Sequence, residues 1–123
     1  MAPFPVRIDP SAPAPPFEQL RAGVLAAIAG GELTAGERLP TVRALAADLD
    51  IAPGTVARAY RELEAVGAIE TRGRHGTFVS MDHDAVRRQA QRAAGAFAAE
   101  VRALGIADDD AVSLVRAALR TSP

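Results

Sequence analysis

The fold is decided by the stretch "DLDIAPGTVARAYRELEAVG", residues 48–67, in which a helical pattern follows directly on Pro53 and Gly54. Proline is well tolerated at the first helical position, because the N–H that it lacks would have no partner there. Glycine is the usual residue just after a helix, because it readily adopts the left-handed conformation. We therefore predict a helix from Pro53 to Val66, capped by Gly67. Its apolar stripe recurs every three or four positions, at Val56, Tyr60, Leu63 and Val66.

The first turn of this helix has the features of an anion-binding surface. Gly54 has no side chain, so the free N–H groups of the turn can come close to a negatively charged surface, with the positive end of the helix dipole behind them. Thr55 adds a hydroxyl and Arg58 a guanidinium on the same exposed side. This geometry suits a helix whose N-terminal end enters the major groove of DNA. We predict DNA contacts from Pro53, Gly54, Thr55 and Arg58.

Two further helices are predicted upstream. The first begins at Phe17 and ends at Gly30 and Gly31, and its apolar residues follow helical spacing. The second covers residues 42–49 and is capped by Thr41. Only the short turn "DIAP" separates the second helix from the third. Such a turn forces the two helices to pack at a large angle, which is typical of a helix-turn-helix.

A β-hairpin is predicted after the third helix. Two β-prone pieces, residues 68–72 and 77–80, flank the sequence "GRHG", in which two glycines surround a basic tip. Three helices followed by such a hairpin describe a winged helix-turn-helix. The tip supplies further predicted DNA contacts, which are Arg72, Arg74, His75 and Gly76.

The two ends of the chain are predicted to differ from this domain. Residues 1–16 are proline-rich and read as a leader, in which Val6 and Ile8 form a short extended arm. Residues 81–123 hold a fourth helix with a near-heptad stripe and, after Gly105, a last helix that opens on "DDD". The stripe is narrow and alanine-rich and needs a packing partner, either the same elements of a second chain, which we favour, or its own winged domain. The predicted dimer contacts are Val86, Phe97, Val101, Leu104, Val112, Val115 and Leu119.

The predicted fold is therefore mainly α with a small β-wing, a winged helix-turn-helix domain at 17–80 followed by a two-helix dimerisation appendage at 81–123. A chain of 123 residues cannot bury a large core, which argues against a large catalytic cleft. It has no cysteine, so disulfides and thiolate chemistry are absent. The formal net charge of -1 is low for a DNA-binding protein, but all 14 basic residues are arginine, which suits bidentate contacts with phosphate and guanine.

Enzyme chemistry, cofactors and metal binding are not expected. The two histidines are His75 at the predicted wing tip and His83 in "DHD", where Asp82 and Asp84 read as helix-capping acids in a polar linker rather than as metal ligands. Neither a Ser-His-Asp arrangement nor a phosphate-binding glycine loop is recognisable. The start of the chain does not read as a signal peptide, and no apolar run approaches the ~20 residues that span a bilayer. We therefore expect a cytoplasmic protein with no membrane partner.

Residues 36–79, "GERLPTVRALAADLDIAPGTVARAYRELEAVGAIETRGRHGTFV", resemble the DNA-binding domain of GntR-family bacterial transcription regulators. The shared pattern is Leu-Pro-Ser/Thr-x-Arg, then Thr-Val-x-Arg-Ala-Tyr-x-Glu-Leu, Gly-x-Ile and Arg-Gly-x-Gly-Thr-(Phe/Tyr)-Val. The lead-in "PPFEQLRAGVLAAIAGGELTAGERLP" is similar to the family's first helix. The short tail is similar to that of the YtrA subfamily, in which a two-helix appendage serves dimerisation.

The resemblance implies a role for individual residues in binding double-stranded operator DNA. It implies that Arg43 reaches a phosphate or a guanine, that Thr55 and Arg58 contact the operator, and that Arg74 to Gly76 lie along the minor groove. YtrA-like members often have Asn-Pro-Asn-Thr at the start of the third helix, where this chain has "APGT". A sequence preference therefore does not transfer from relatives.

The resemblance also implies a physiological role, which is repression of a nearby operon. Whether a small-molecule effector of unknown identity controls the protein is left open by the sequence. A two-helix tail offers such an effector at most a small pocket at the dimer interface, lined by Phe97 and Leu104. The competing hypothesis is a winged-helix module that binds only proteins. Such a module would be expected to expose an apolar patch on the third helix, and the sequence has none there.

Overall fold

The computed structural model describes residues 3–82 and 84–121, and His83 of the "DHD" sequence lies outside them. Within the described part the fold is mainly helical with a small two-stranded antiparallel sheet, as predicted. The chain divides into two compact units, residues 1–86 and 87–123. The elements in chain order are α1 (Pro16–Ala29), α2 (Val42–Leu49), α3 (Pro53–Ala65), β1 (Ile69–Thr71), β2 (Thr77–Val79), α4 (Ala85–Ala103) and α5 (Asp108–Thr121).

The helix-turn-helix forms because the residues around its turn favour ending α2 and starting α3 within a few positions. α2 begins with a side-chain cap, in which the Ala44 N–H donates to Thr41 Oγ1 at 3.1 Å. It ends at Asp50, which takes the left-handed conformation with φ 56°. Ala52 is extended, with φ -66° and ψ 141°, as the residue before a proline prefers, and Pro53 then starts α3.

The core of the first unit lies between the three helices and the wing. Both α1 and α2 pack against α3. The stripe predicted on the third helix faces this core, and Val56 and Leu63 are fully buried. The other large, fully buried side chains are Leu20, Val24, Leu45 and Val79.

Tyr60 links α3 to the segment before α2. Its side chain is buried, and Tyr60 Oη donates a hydrogen bond to the Pro40 carbonyl oxygen at 2.8 Å. Burial disfavours the charged phenolate and raises the pKa of Tyr60 well above its ordinary value of 10.0. The phenol therefore stays neutral in the folded domain far into the alkaline range.

The predicted hairpin is confirmed. β1 and β2 pair antiparallel, with Ile69 opposite Val79. The segment before α2 joins the other edge of β2, because the Leu39 N–H donates to the Thr77 carbonyl at 2.8 Å and the Val79 N–H donates to the Glu37 carbonyl at 2.9 Å. The second strand of the wing is thus hydrogen-bonded along both edges, to β1 on one edge and to the segment before α2 on the other.

The proline-rich leader differs from the expected arm, because it packs into the domain. Val6 is only 4% exposed and belongs to the core of the first unit. It fills a notch left by Gly23 of α1, where an added Cβ would lie 2.6 Å from Val6 Cγ1. A surface ion pair at 3.3 Å joins Arg7 to Asp48 of α2. Leader and domain therefore share one core.

The second unit consists of most of α4 together with α5. Val101 and Ala111 are buried, while Leu104 and Leu119 are 69% and 70% exposed. Val112, Leu114 and Val115 are exposed as well, as is Val86 at the end of the first unit. None of the described helices is long and apolar enough to cross a membrane.

Candidate nucleic-acid interface

The N-terminal end of α3 is open to the outside. No side chain caps this end of the helix, and Pro53 brings no N–H of its own. Pro53 and Gly54 are exposed, and Thr55 is half-buried. A Cβ added to Gly54 would meet nothing within 4 Å. The chain itself has room for a side chain there, so packing within the chain does not require a glycine at this position.

Arg58 lies one turn further along α3 and stacks on an aromatic ring. Its guanidinium carbon is 3.6 Å from the centroid of the Phe17 ring, which belongs to the first turn of α1. Arg58 is exposed and Phe17 is half-buried. Among the described residues no carboxylate lies within ion-pair distance of this guanidinium. The geometry is that of a cation–π contact with one face of the guanidinium and its N–H edges still free.

Arg43 and the wing tip complete the predicted set. Arg43 is exposed on the first turn of α2. Arg74 and His75 are exposed in a short 3-10 turn between the strands. Gly76 ends this turn with φ 108° and ψ -162°, a conformation that is essentially restricted to glycine. The structure therefore explains Gly76 as the residue that shapes the tip.

Ion pairs divide the arginines of the first unit into two groups. Arg7 pairs with Asp48, and Arg21 pairs with both Glu18 and Glu62. By contrast, among residues 3–82 and 84–121 no acidic side chain pairs with Arg43, Arg58 or Arg74, on α2, α3 and the wing, and the same holds for Arg38 and Arg61. Positive charge is thus left unneutralised on the elements that were predicted to meet DNA.

Arg72 is engaged differently from the free arginine that the sequence suggested. Its Nε donates to Glu70 Oε1 at 3.0 Å, and its guanidinium carbon lies 4.4 Å from the centroid of the Phe78 ring. The contact with Phe78 joins the end of the first strand to the second, and the contact with Glu70 lies along the first strand. Arg72 therefore has a structural role, and its contact with DNA stays a prediction.

Two residues near this surface escaped the sequence analysis. One is Phe17, which was assigned only to the apolar face of helix one. The other is Arg38, whose Nε would lie 3.0 Å from a Cβ added to Gly76, so that its side chain runs along the wing turn. Both contacts join residues that are distant in the sequence, and no local pattern reveals them.

The family follows from a comparison of the sequence with known proteins. The profile of the family described as "Bacterial regulatory proteins, gntR family" matches residues 16–79, which span α1, the helix-turn-helix and the wing. The chain belongs to the gntR family. This gntR-family chain is a DNA-binding transcriptional regulator and not an enzyme.

Similar proteins place this gntR regulator near the YtrA branch. The HTH-type transcriptional regulator Rv1152 of Mycobacterium tuberculosis is 47% identical over 107 residues, which are 87% of this chain and 88% of that protein. The HTH-type transcriptional repressor YtrA of Bacillus subtilis is 39% identical over 75 residues, which are 61% of this chain and 58% of that protein. The structure titled "YtrA from Sulfolobus acidocaldarius, a GntR-family transcription factor" has a TM-score of 0.60 and 25% identity, and covers 92% of this chain and 95% of that one.

The tail of this gntR regulator contains an apolar cleft. Its volume is about 510 Å³, and it lies within the second unit between α4 and α5. Phe97 lines it and Leu104 does not. The predicted effector pocket, which was placed at a dimer interface, stays a prediction. Val101 is buried at the base of the same helix pair. The remaining lining residues include Val112, Val115 and the two arginines Arg102 and Arg116.

Gly54 gives a test that separates folding from DNA binding. We expect Gly54→Ala to leave the free energy of unfolding unchanged or to raise it by up to about 1 kcal/mol, because alanine restricts the unfolded chain and meets no atom in the folded one. We expect the same substitution to weaken DNA binding, because the new methyl group stands between the helix end and the phosphates. Chemical denaturation and DNA titration of the two proteins measure both effects. Unchanged DNA affinity would remove this helix end from the interface.

Proposed function

We propose that this gntR-family regulator is a homodimeric repressor that reads a two-fold symmetric operator. The observation that carries the proposal is that α2, α3 and the wing each carry an exposed arginine with no carboxylate partner in the described part of the chain, namely Arg43, Arg58 and Arg74. In this arrangement the N-terminal end of α3 enters the major groove. Arg43 contacts a phosphate or a guanine, and the wing tip lies along the minor groove.

The repressor role is supported by one relative. The Bacillus subtilis protein is named a transcriptional repressor, and its similarity extends over 75 residues. A regulator whose site is DNA works in the cytoplasm, which we propose as its location.

The dimer is supported by the second unit. Leucine and valine side chains remain exposed along α5, and the exposed Leu104 ends the stripe of α4. A second copy of the chain would cover such a surface, and a two-fold dimer would present two recognition helices to half-sites about one helical turn apart. The cleft of about 510 Å³ in this unit gives a small-molecule effector a place to bind and to alter the pairing.

The test is a fluorescence-anisotropy titration of the full chain with its own upstream intergenic DNA and with a scrambled duplex, at two salt concentrations. We expect the wild type to prefer the native duplex and to bind both more weakly at high salt, because counterions compete for the phosphates. Arg58→Ala should weaken binding to the native duplex by about 1–3 kcal/mol and reduce the preference.

Arg120→Ala is the matched control. It removes the same charge from the last turn of α5, so operator affinity should change little. Equal binding of the wild type to the two duplexes would contradict the operator-reading function and favour the hypothesis of a protein-binding module.

A further inference from the structure

Helices α1 and α3 touch through two side-chain pairs that lie one turn apart. Phe17 stacks on Arg58 at 3.6 Å, and four residues further along both helices Arg21 Nε lies 3.8 Å from Glu62 Oε2. Because both pairs advance by four residues, the two helices run side by side in the same direction. Phe17 therefore stands beside the N-terminal part of α3, the end that was assigned to the DNA groove.

The two pairs differ in whether the arginine keeps its hydrogen-bond donors free. The Arg21 guanidinium is neutralised, because it also contacts Glu18 Oε1 at 3.3 Å. The Arg58 guanidinium lies against a ring, which holds its plane but accepts none of its N–H groups in a conventional hydrogen bond. An arginine stacked in this way keeps its planar fork of donors for a base edge or a phosphate. It also loses less conformational entropy on binding than a free side chain.

The helix turn that carries the ring is hydrogen-bonded to the leader. Gln19, two residues after Phe17, closes the start of α1 with three hydrogen bonds. The Asp9 N–H donates to Gln19 Oε1 at 2.8 Å, and Gln19 Nε2 donates to the carbonyl oxygens of Asp9 at 3.0 Å and Ala14 at 2.8 Å. Phe17 is thus fixed on a braced turn, as the support of a binding side chain must be.

We propose that Phe17 is a positioning residue for operator recognition, which orders Arg58 before DNA arrives without touching DNA itself. The inference rests on the proposed function, because it requires that Arg58 contact the operator. It adds a specificity determinant on α1, outside the helix-turn-helix and the wing.

The test is a double-mutant cycle on operator affinity in the full chain. Phe17→Leu removes the π face and keeps apolar bulk, and we expect it to weaken binding to the native duplex about two- to fivefold. In an Arg58→Ala background the same substitution should have no further effect. Phe17→Tyr keeps the ring and should bind like the wild type. Leu25→Ala, at a half-buried position two turns along α1, controls for a general loss of helix packing, and a thermal unfolding curve of each variant establishes that it is folded.

The outcomes separate this proposal from the proposed function. An Arg58→Ala variant that binds the operator as the wild type does overturns the role of both residues. If Arg58→Ala weakens binding but Phe17→Leu does not, only the role of Phe17 is overturned. Tighter binding by Phe17→Leu would mean that the ring withholds Arg58 from DNA, and an equal loss in both backgrounds would mean that Phe17 acts independently of Arg58. Either result overturns positioning.

Discussion

Replacing Leu104 and Leu119 together by glutamate is expected to convert the regulator to a monomer and to lower its operator affinity by about two orders of magnitude. Both side chains are about 70% exposed, so the change costs the fold of a single chain little. At a dimer interface the same change buries charges in an apolar contact. Because the second half-site is bound intramolecularly by a dimer, its loss removes the gain from effective concentration. Sedimentation at micromolar concentration and anisotropy with a two-half-site operator measure the two effects.

Leu114→Glu is the control for the dimer. It lies on the same helix and is 51% exposed, but it stands off the stripe formed by Val112, Val115 and Leu119. We expect it to leave both the mass and the operator affinity unchanged. A wild-type chain that sediments as a monomer at these concentrations would contradict the proposed dimer, and the stripe would then have to be covered within one chain.

The second large effect is expected in alkali. The folded domain holds the pKa of Tyr60 above its ordinary value, so the contribution of Tyr60 to stability is complete below pH 10 and decreases as the pH rises. The decrease amounts to as much as about 1.4 kcal/mol for each pH unit above the ordinary value. The chain contains no lysine and no cysteine, so few other side chains titrate in this range. Tyr60 is also the sole tyrosine, and its phenolate absorbance reports the titration directly.

Tyr60→Phe provides the comparison for this prediction. At pH 7 it should lower the free energy of unfolding by about 0.5–1.5 kcal/mol, because the hydrogen bond to the Pro40 carbonyl is lost. Above pH 10 the wild type should lose stability faster than the variant, so that the two curves of stability against pH converge and then cross. Parallel curves, or a phenolate that appears near pH 10 while the domain is still folded, would show that burial does not control this group.

The local elements of the fold could be predicted from the sequence because each carries its own signal. Pro53 at the start of α3 and Thr41 at the start of α2 lie where their backbone chemistry requires. The stripe through Val56 and Leu63 faces the core because apolar residues at helical spacing lie on one face of the helix. Such features depend on residues only a few positions apart.

The contacts that distinguish one arginine from another could not be predicted in this way. Arg58 meets Phe17 across 41 positions of sequence, and Arg38, before α2, runs along the wing turn at Gly76. These pairs are set by how the helices and strands pack. A count of charges misses them, which is why a net charge of -1 hid arginines that have no acidic partner in the described part of the chain.

The packing of Val6 over Gly23 has a practical meaning for how the boundary of this domain is drawn. The match to the family profile begins at residue 16, yet the residues before it fill a core notch and brace the turn that carries Phe17. A fragment trimmed to the matched residues would keep all of α1, α2, α3 and the wing. It would lose the packing of Val6 on Gly23 and the hydrogen bonds between the leader and α1. The family profile therefore marks only part of the unit that folds here, because that unit also includes the leader.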